Sequence, residues 1–170
     1  CSAEQAPAAA LYRIGVNPDK IDSIIFTHLH WDHAGSIGLF KNARFFAQQA
    51  EIDVVKNGVE PGYEYAIVQN TVFQAIDHDH QIFLPGISTI FSPGHSYGSQ
   101  CIVVNTEPTP LIFCGDLFPL YENISSMKPN GNHYDEEVIK KSMEKIIQTG
   151  YTIVPGHDFA VFDYFQHQYK

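Results

Sequence analysis

The alternation of short apolar runs with polar segments predicts a chain of strands separated by helices. Ile21–Thr27 is short, apolar and rich in β-branched residues, which is typical of a buried strand. Five further short runs are predicted to be strands: Arg44–Ala47, Ile87–Phe91, Cys101–Asn105, Leu111–Cys114 and Tyr151–Val154. Strands that alternate with helices indicate an α/β architecture.

Helices are predicted where apolar residues recur at helical spacing and a glycine or proline follows. The predicted helical segments are Ala6–Ile14, Ala34–Phe40, Gln48–Asn57 and Asp135–Gln148. Gly58 and Gly150 stand where two of these helices should end. The last helix is amphipathic, with an apolar face that runs from Val138 to Ile147.

Three connecting segments lack a regular period. Glu60–Asp79 mixes polar and aromatic residues around Pro61-Gly62, and part of it is expected to form the rim of a substrate site. Pro119–His133 is predicted to be a long loop, and loops of that length often act as lids over functional sites. Thr106–Pro110 suits a hairpin connection between two strands.

Length and composition predict one globular domain over residues 1–170. The chain has 170 residues, of which 44% are hydrophobic and 17% are charged, as in ordinary soluble proteins. No apolar run approaches the length of a membrane span, so no membrane partner is expected. The start of the chain does not resemble a signal peptide, and a cleaved leader stays open. The three cysteines, which lack disulfide spacing, suit a reduced cytoplasmic setting.

The charge balance and the cysteines exclude several classes of protein. The net charge is −9, with 10 basic and 19 acidic residues and no Lys/Arg cluster, so nucleic acid is not an expected partner. Cys1, Cys101 and Cys114 have no CxxC spacing, which argues against a disulfide framework. Cys101 and Cys114 lie in predicted strands and should be buried apolar residues.

The clearest chemical signal is an HxHxDH motif directly after the first predicted strand. His28 and His30 are two apart in extended chain, so their side chains point the same way and can hold one metal ion. Asp32 and His33 follow as the chain turns, and they can reach a second ion. Neutral imidazole and carboxylate are ligands that suit zinc and its neighbours.

Three shorter motifs follow later strands. Pro93 and Gly94 form a tight turn that exposes His95, and Val154–Asp158 repeats this pattern around His157. Asp116 lies at the end of a predicted buried strand, where a carboxylate is costly unless it is paired or bound to metal. Each motif is weak alone, and their fixed order after HxHxDH makes the set specific.

The series HxHxDH, PGHS, GD and PGHD resembles the metallo-β-lactamase superfamily in motif, order and spacing, from Ile21 to the C-terminus. The resemblance implies an αββα sandwich with two divalent metal ions at one edge of the sheets. It implies that His28, His30 and His95 hold the first ion. It likewise implies that Asp32, His33 and His157 hold the second, with Asp116 as the bridge. Zinc is the default metal for such ligands, with iron and manganese as alternatives.

Within the superfamily, the stretches THLHWDHAGS, LFKNARFFAQQAEID and LPGISTIFSPGHSYGSQ resemble the N-acyl-homoserine lactonases. This resemblance implies a quorum-quenching hydrolase whose small-molecule substrate is a lactone. In such an enzyme, a hydroxide that bridges the two metal ions opens the lactone ring. Asp32 would be a metal ligand that can also move a proton.

The chain departs from the lactonase pattern at three points. Gly35-Ser36 replaces the usual Gly-Gly pair, and Pro119 stands where lactonases have a catalytic tyrosine. Tyr121, two residues further on, is a candidate substitute. His28 also lies close to the start of the chain, so we expect either that the sequence is a fragment or that part of the N-terminal sheet is absent. A partner chain or an exchanged segment, as in a homodimer, would complete that sheet.

Other functions are weighed against lactone hydrolysis. A thioester hydrolase of the glyoxalase II type is the main alternative, because Cys114–Phe118 resembles its GD-containing motif. A β-lactamase fits the motif loops less well. A di-iron protein that handles oxygen is disfavoured, because His28, His30 and His33 are all histidine where such proteins have an acid. An inactive binding subunit is a further alternative.

Several residues have both a functional and a structural interpretation. Four aromatic residues either line an apolar pocket for an acyl group or pack in the core: Trp31, Phe118, Tyr121 and Tyr134. Thr27 and Asp158 either orient ligand imidazoles or serve as ordinary loop and cap residues. Asp77–His80 resembles a metal site in composition, but a solvated polar turn is the preferred interpretation.

Overall fold

The computed structural model describes residues 6–58, 62–63, 66–77, 79 and 82–168. The chain forms two compact units, Cys1–Ile76 and Asp77–Lys170, and each unit has its own sheet and its own apolar core. Helices and strands are both present, so the predicted α/β class is confirmed.

The first unit is a three-stranded parallel sheet with four helices. In chain order, its elements are α1 (Pro7–Arg13), β1 (Ser23–Ile25), α2 (Trp31–Ala34), β2 (Arg44–Gln48), α3 (Gln49–Asn57), α4 (Ala66–Gln69) and β3 (Phe73–Ile76). The strand order is β1-β2-β3, with Ile24 opposite Phe45 and Phe45 opposite Phe73. Because the strands are parallel, their carboxyl ends share one edge, and the HxHxDH motif follows β1 there.

The second unit is a five-stranded sheet with three helices. Its elements are β4 (Ile82–Leu84), β5 (Ile87–Phe91), β6 (Gln100–Val104), β7 (Leu111–Phe113), α5 (Tyr121–Ser126), α6 (Glu136–Ile147), β8 (Thr152–Val154) and α7 (Ala160–Gln168). The strand order is β4-β5-β6-β7-β8, and only the β7–β8 pair is parallel. Two antiparallel steps make β5 parallel to β7, so β5, β7 and β8 all end at the same edge.

The amphipathic helix α6 supplies much of the core of the second unit. Ile139, Met143 and Ile146 recur at helical spacing and are fully buried beside the sheet residues. Burial of one such side chain stabilises a fold by about 1.5–3 kcal/mol. Cys101 and Cys114 are free, buried members of this core, as predicted.

Several predicted boundaries were wrong for identifiable reasons. The predicted loop Pro119–His133 contains helix α5, whose first turn is closed by the Asn123 side chain accepting a hydrogen bond from the Leu120 N–H. Strand β3 lies in the segment Glu60–Asp79, to which no strand was assigned. It was missed because it is at the sheet edge and half of its side chains are exposed, so its sequence shows no apolar run. Helix α7 was not predicted at all.

Within the described ranges, no helix is both long enough and apolar enough to cross a membrane.

Candidate functional site

The HxHxDH motif forms a compact turn in the first unit, where β1 runs into helix α2. The ring centroids of His28 and His30 are 4.7 Å apart, and those of His28 and His33 are 4.1 Å apart. Asp32 Oδ2 lies 3.6 Å from His33 Nε2, and both residues belong to the first turn of α2. The turn therefore brings four ligand side chains of the predicted set together.

A buried carboxylate that the sequence did not single out fixes this turn. Glu51 on α3 is fully buried, and its Oε1 accepts hydrogen bonds from the Leu29 N–H at 2.9 Å and the Tyr63 hydroxyl at 2.6 Å. The Tyr63 ring stands edge-on to His30, with centroids 4.8 Å apart. A buried carboxylate is costly without such donors, so Glu51 and the HxH backbone hold each other in place.

In the second unit, the ends of β5, β7 and β8 present the three remaining predicted ligands. His95 follows β5, Asp116 lies in the 3-10 turn Gly115–Leu117 after β7, and His157 follows β8. Asp116 Oδ2 lies 3.5 Å from His95 Nε2, and Asp116 Oδ1 lies 2.9 Å from His157 Nε2. The carboxylate thus turns one oxygen toward each histidine.

Glycines allow these three loops to pack closely. Gly94 has φ +132°, and a Cβ there would lie 2.3 Å from the Ile139 Cα. A Cβ on Gly156 would lie 2.7 Å from the Gly115 carbonyl oxygen. The Pro-Gly pairs are therefore needed for close backbone approach as well as for turning the chain.

The outward ring nitrogens of two candidate ligands have oxygen partners. His95 Nδ1 lies 2.6 Å from the Asn132 carbonyl oxygen, and His28 Nδ1 lies 3.2 Å from Thr27 Oγ1. Partners of this kind orient an imidazole and leave its other nitrogen for a metal ion. The donor sets of imidazole nitrogen and carboxylate oxygen therefore fit zinc or a similar divalent ion.

Tyr121 and Asp158 lie beside this loop cluster. Tyr121 is half-buried at the start of α5, and its N–H donates to Asp158 Oδ2 at 2.9 Å. The pKa of the Tyr121 phenol is raised mainly by burial, and to a smaller extent by electrostatic interaction with Tyr164 and Asp158. Asp158 Oδ1 also accepts from the Ala160 N–H, so Asp158 caps helices, and the contacts described for it include no ligand imidazole.

The other three aromatic candidates differ in burial. Phe118 is fully buried in the core of the second unit, so its packing interpretation is confirmed. Trp31 and Tyr134 are exposed, and Tyr134 stacks on Tyr97 with ring centroids 4.3 Å apart. The prediction of a solvated polar turn at Asp77–His80 rests on His78 and His80, which lie outside the described residues.

Residues 1–157 match the Metallo-beta-lactamase superfamily. An N-acyl homoserine lactonase of Bacillus cereus is 31% identical over 153 residues, which are 87% of this chain and 60% of that protein. A probable metallo-hydrolase of Methanocaldococcus jannaschii is 30% identical, with 89% of this chain and 64% of that protein covered.

Solved structures give the same relationship. An N-acyl homoserine lactone hydrolase with the product N-hexanoyl-L-homoserine bound at its catalytic metal center matches with a TM-score of 0.80 and 27% identity. That match covers 92% of this chain and 64% of the other. A variant of Bacillus thuringiensis AiiA with N-decanoyl-L-homoserine at its active site matches with a TM-score of 0.80 and 28% identity.

The chain belongs to the metallo-β-lactamase superfamily and has its fold, as the order of the four motifs predicted. It spans about 60% of the length of the lactonases that it matches.

Proposed function

We propose that this chain carries the metal centre of a binuclear hydrolase that opens a lactone ring, with an N-acyl-homoserine lactone as the model substrate. The observation that carries the proposal is the placement of Asp116, which turns one oxygen toward His95 and the other toward His157. A carboxylate shared in this way between two histidines suits a ligand that bridges two ions. The similarity to lactonases favours the lactone ring as the group attacked.

The proposed ligand sets follow the motifs. His28, His30 and His95 would hold one ion. Asp32, His33 and His157 would hold the other, and Asp116 would be shared by both. Membership of the superfamily implies divalent metal ions; zinc is the proposed ion for this imidazole-rich donor set, and iron and manganese are the alternatives. When bound, the ions supply an activated water and a Lewis acid for the substrate carbonyl.

Two side chains of this centre are proposed to act in catalysis. Asp32 is about one-third exposed, so its carboxylate can take a proton from water or return one to the leaving alkoxide. The Tyr121 phenol is protonated at neutral pH, as is any tyrosine whose pKa is not lowered, and it can donate a hydrogen bond to a substrate oxygen. In this role Tyr121 replaces the lactonase tyrosine at the position of Pro119.

A turnover assay on lactones, thioesters and β-lactams, with and without chelator, tests the proposed reaction. We expect lactone hydrolysis that chelator abolishes and added zinc restores. Asp116→Ala should lose bound metal and activity together, and Tyr121→Phe should lower kcat about tenfold or more while metal content is unchanged.

Asp53→Ala is the matched control, because Asp53 is an exposed carboxylate whose hydrogen bond is with Gln49. It should retain metal and turnover. Thioester turnover without lactone turnover would favour the glyoxalase II type instead, and full metal content in Asp116→Ala would refute the ligand assignment.

A further inference from the structure

Residues 127–134, the α5–α6 connector, set the orientation of one candidate ligand. The carbonyl oxygen of Asn132 accepts the hydrogen bond at 2.6 Å from His95, so Nδ1 of that ring carries the proton. In the neutral ring, Nε2 then carries the lone pair, and this nitrogen faces Asp116 Oδ2 at 3.5 Å. The connector thus selects the tautomer of His95 that can bind a metal ion.

One side chain in the connector, that of Asn130, bonds to the main chain of both Asp116 and Asn132. Asn130 Nδ2 donates to the carbonyl oxygen of Asp116 at 2.5 Å, and Asn130 Oδ1 accepts from the Asn132 N–H at 2.9 Å. A single amide therefore links the main chain of the bridging residue to the residue whose carbonyl orients His95.

Two more hydrogen bonds hold the connector in the same place. The His133 imidazole donates from Nδ1 to the Asn130 carbonyl oxygen at 2.6 Å. The Tyr134 N–H donates to the Gly94 carbonyl oxygen at 3.0 Å, directly before His95. The connector is thereby bonded to both the PGH loop and the GD loop, and its contacts are those of a support for the ligands.

We propose that Asn130 is a positioning residue for the metal centre, which holds the Asp116 main chain and the His95 tautomer in register through its side-chain amide. The proposal rests on the proposed function, because His95 and Asp116 are ligands in that function. Asn130 acts through these two residues and through Asn132, without contact to substrate.

Asn130→Asp is the sharpest variant, because it keeps the shape and the Oδ1 acceptor but replaces the donor with a carboxylate oxygen facing the Asp116 carbonyl. Competition with a chelator should show a zinc affinity 10- to 100-fold below that of the wild type, the range typical of lost ligand-orienting partners. The Tm of metal-free Asn130→Asp should match that of metal-free Asn42→Asp. This control makes the same chemical change away from the connector, where Asn42 Nδ2 donates to the Asp19 carbonyl oxygen at 2.9 Å, and it should keep the zinc affinity of the wild type.

A second measurement needs no metal. In the metal-free wild type, the His95 Nδ1 proton should give a slowly exchanging NMR signal, and in Asn130→Asp this signal should broaden or disappear. Asn130→Ser removes the same donor without adding charge and should behave alike if the aspartate variant does not fold.

The outcomes separate the two proposals. Wild-type zinc affinity and an unchanged His95 signal in both Asn130 variants would overturn the positioning role. A wild-type protein that binds no zinc would refute the proposed function, while the His95 signal would still decide the role of Asn130.

Discussion

At the scale of single residues, Gly94 shows how closely a ligand loop packs on the helix behind it. Its φ of +132° is rarely adopted by other residues, and a Cβ would meet the backbone of Ile139 on α6. The next residue is His95, whose ring needs that backbone path to reach Asp116. Glycine is therefore required at position 94 for two reasons: there is no room for a Cβ, and the backbone φ is unfavourable for other residues.

Gly94→Ala should lower the free energy of unfolding by about 3 kcal/mol or more, because strain and overlap with backbone add together. Gly150→Ala is the matched control, since Gly150 has φ +68° but nothing within 4 Å of the added Cβ. The control should lose about 1 kcal/mol from conformation alone. Urea denaturation measures both, and equal losses would contradict the predicted overlap.

The candidate ligand residues could be named from the sequence, whereas the residues whose hydrogen bonds orient them could not. The HxHxDH series is recognisable because its side chains are chemically distinctive at a fixed spacing. Glu51 and Asn130 act on main-chain atoms 22 and 14 residues away, and these separations have no sequence pattern. Asn132 acts through a carbonyl group, which every residue has.

At the scale of elements, one carboxylate joins the starts of two helices. Asp158 accepts from the Tyr121 N–H at the start of α5 and from the Ala160 N–H at the start of α7. These two backbone N–H groups lower the pKa of Asp158, and the Tyr121 N–H has the larger effect. Both helix starts flank the loop that carries His157.

The lowered pKa gives Asp158→Asn a pH-dependent effect. A carboxyl group whose pKa is lower when folded contributes stability above its unfolded pKa of about 3.9 and loses it as pH falls through the folded value. The variant should therefore have a lower Tm than the wild type at pH 7, and the gap should close in acid. Glu144→Gln, an exposed change on α6, is the control. A gap that is constant with pH would contradict the prediction.

Elements with a strong period were predicted well, and those without one were not. Helix α6 was predicted as Asp135–Gln148 and spans Glu136–Ile147, because the Asp135 side chain caps it by accepting from Glu137 and Val138. Helix α5 has six residues and none of them is buried, so it lacks an apolar stripe. Its first turn is held by the Asn123 side chain and by the hydrogen bond from the Tyr121 N–H to the distant Asp158.

At the scale of the whole molecule, a bound metal should stabilise the chain as well as serve chemistry. Ligand binding to the folded state alone adds about 4 kcal/mol when free ligand is a thousandfold above its Kd. Zinc should therefore raise the Tm of the wild type, and the shift should shrink in acid because imidazoles must lose a proton to bind. His157→Ala should show a smaller shift; an identical one would exclude His157 as a ligand.

Superfamily and fold class followed from motif order, which survives divergence because each ligand depends on the strand before it. The predicted single domain, incomplete N-terminal sheet and homodimer stay predictions. Local sequence patterns determine whether a segment is a helix or a strand. Domain number, sheet completeness and dimer formation depend instead on contacts between residues far apart in sequence or on different chains.

The contact of Gly156 with the Gly115 carbonyl has a consequence for engineering. A saturation library at Gly156 would consist mostly of misfolded clones, because any Cβ there overlaps the Gly115 carbonyl. Altered substrate preference is better sought at the exposed aromatic side chains that follow His157, which are Phe159 before α7 and Phe162 on α7. Natural divergence of this chain should follow the same route, with Gly156 unchanged.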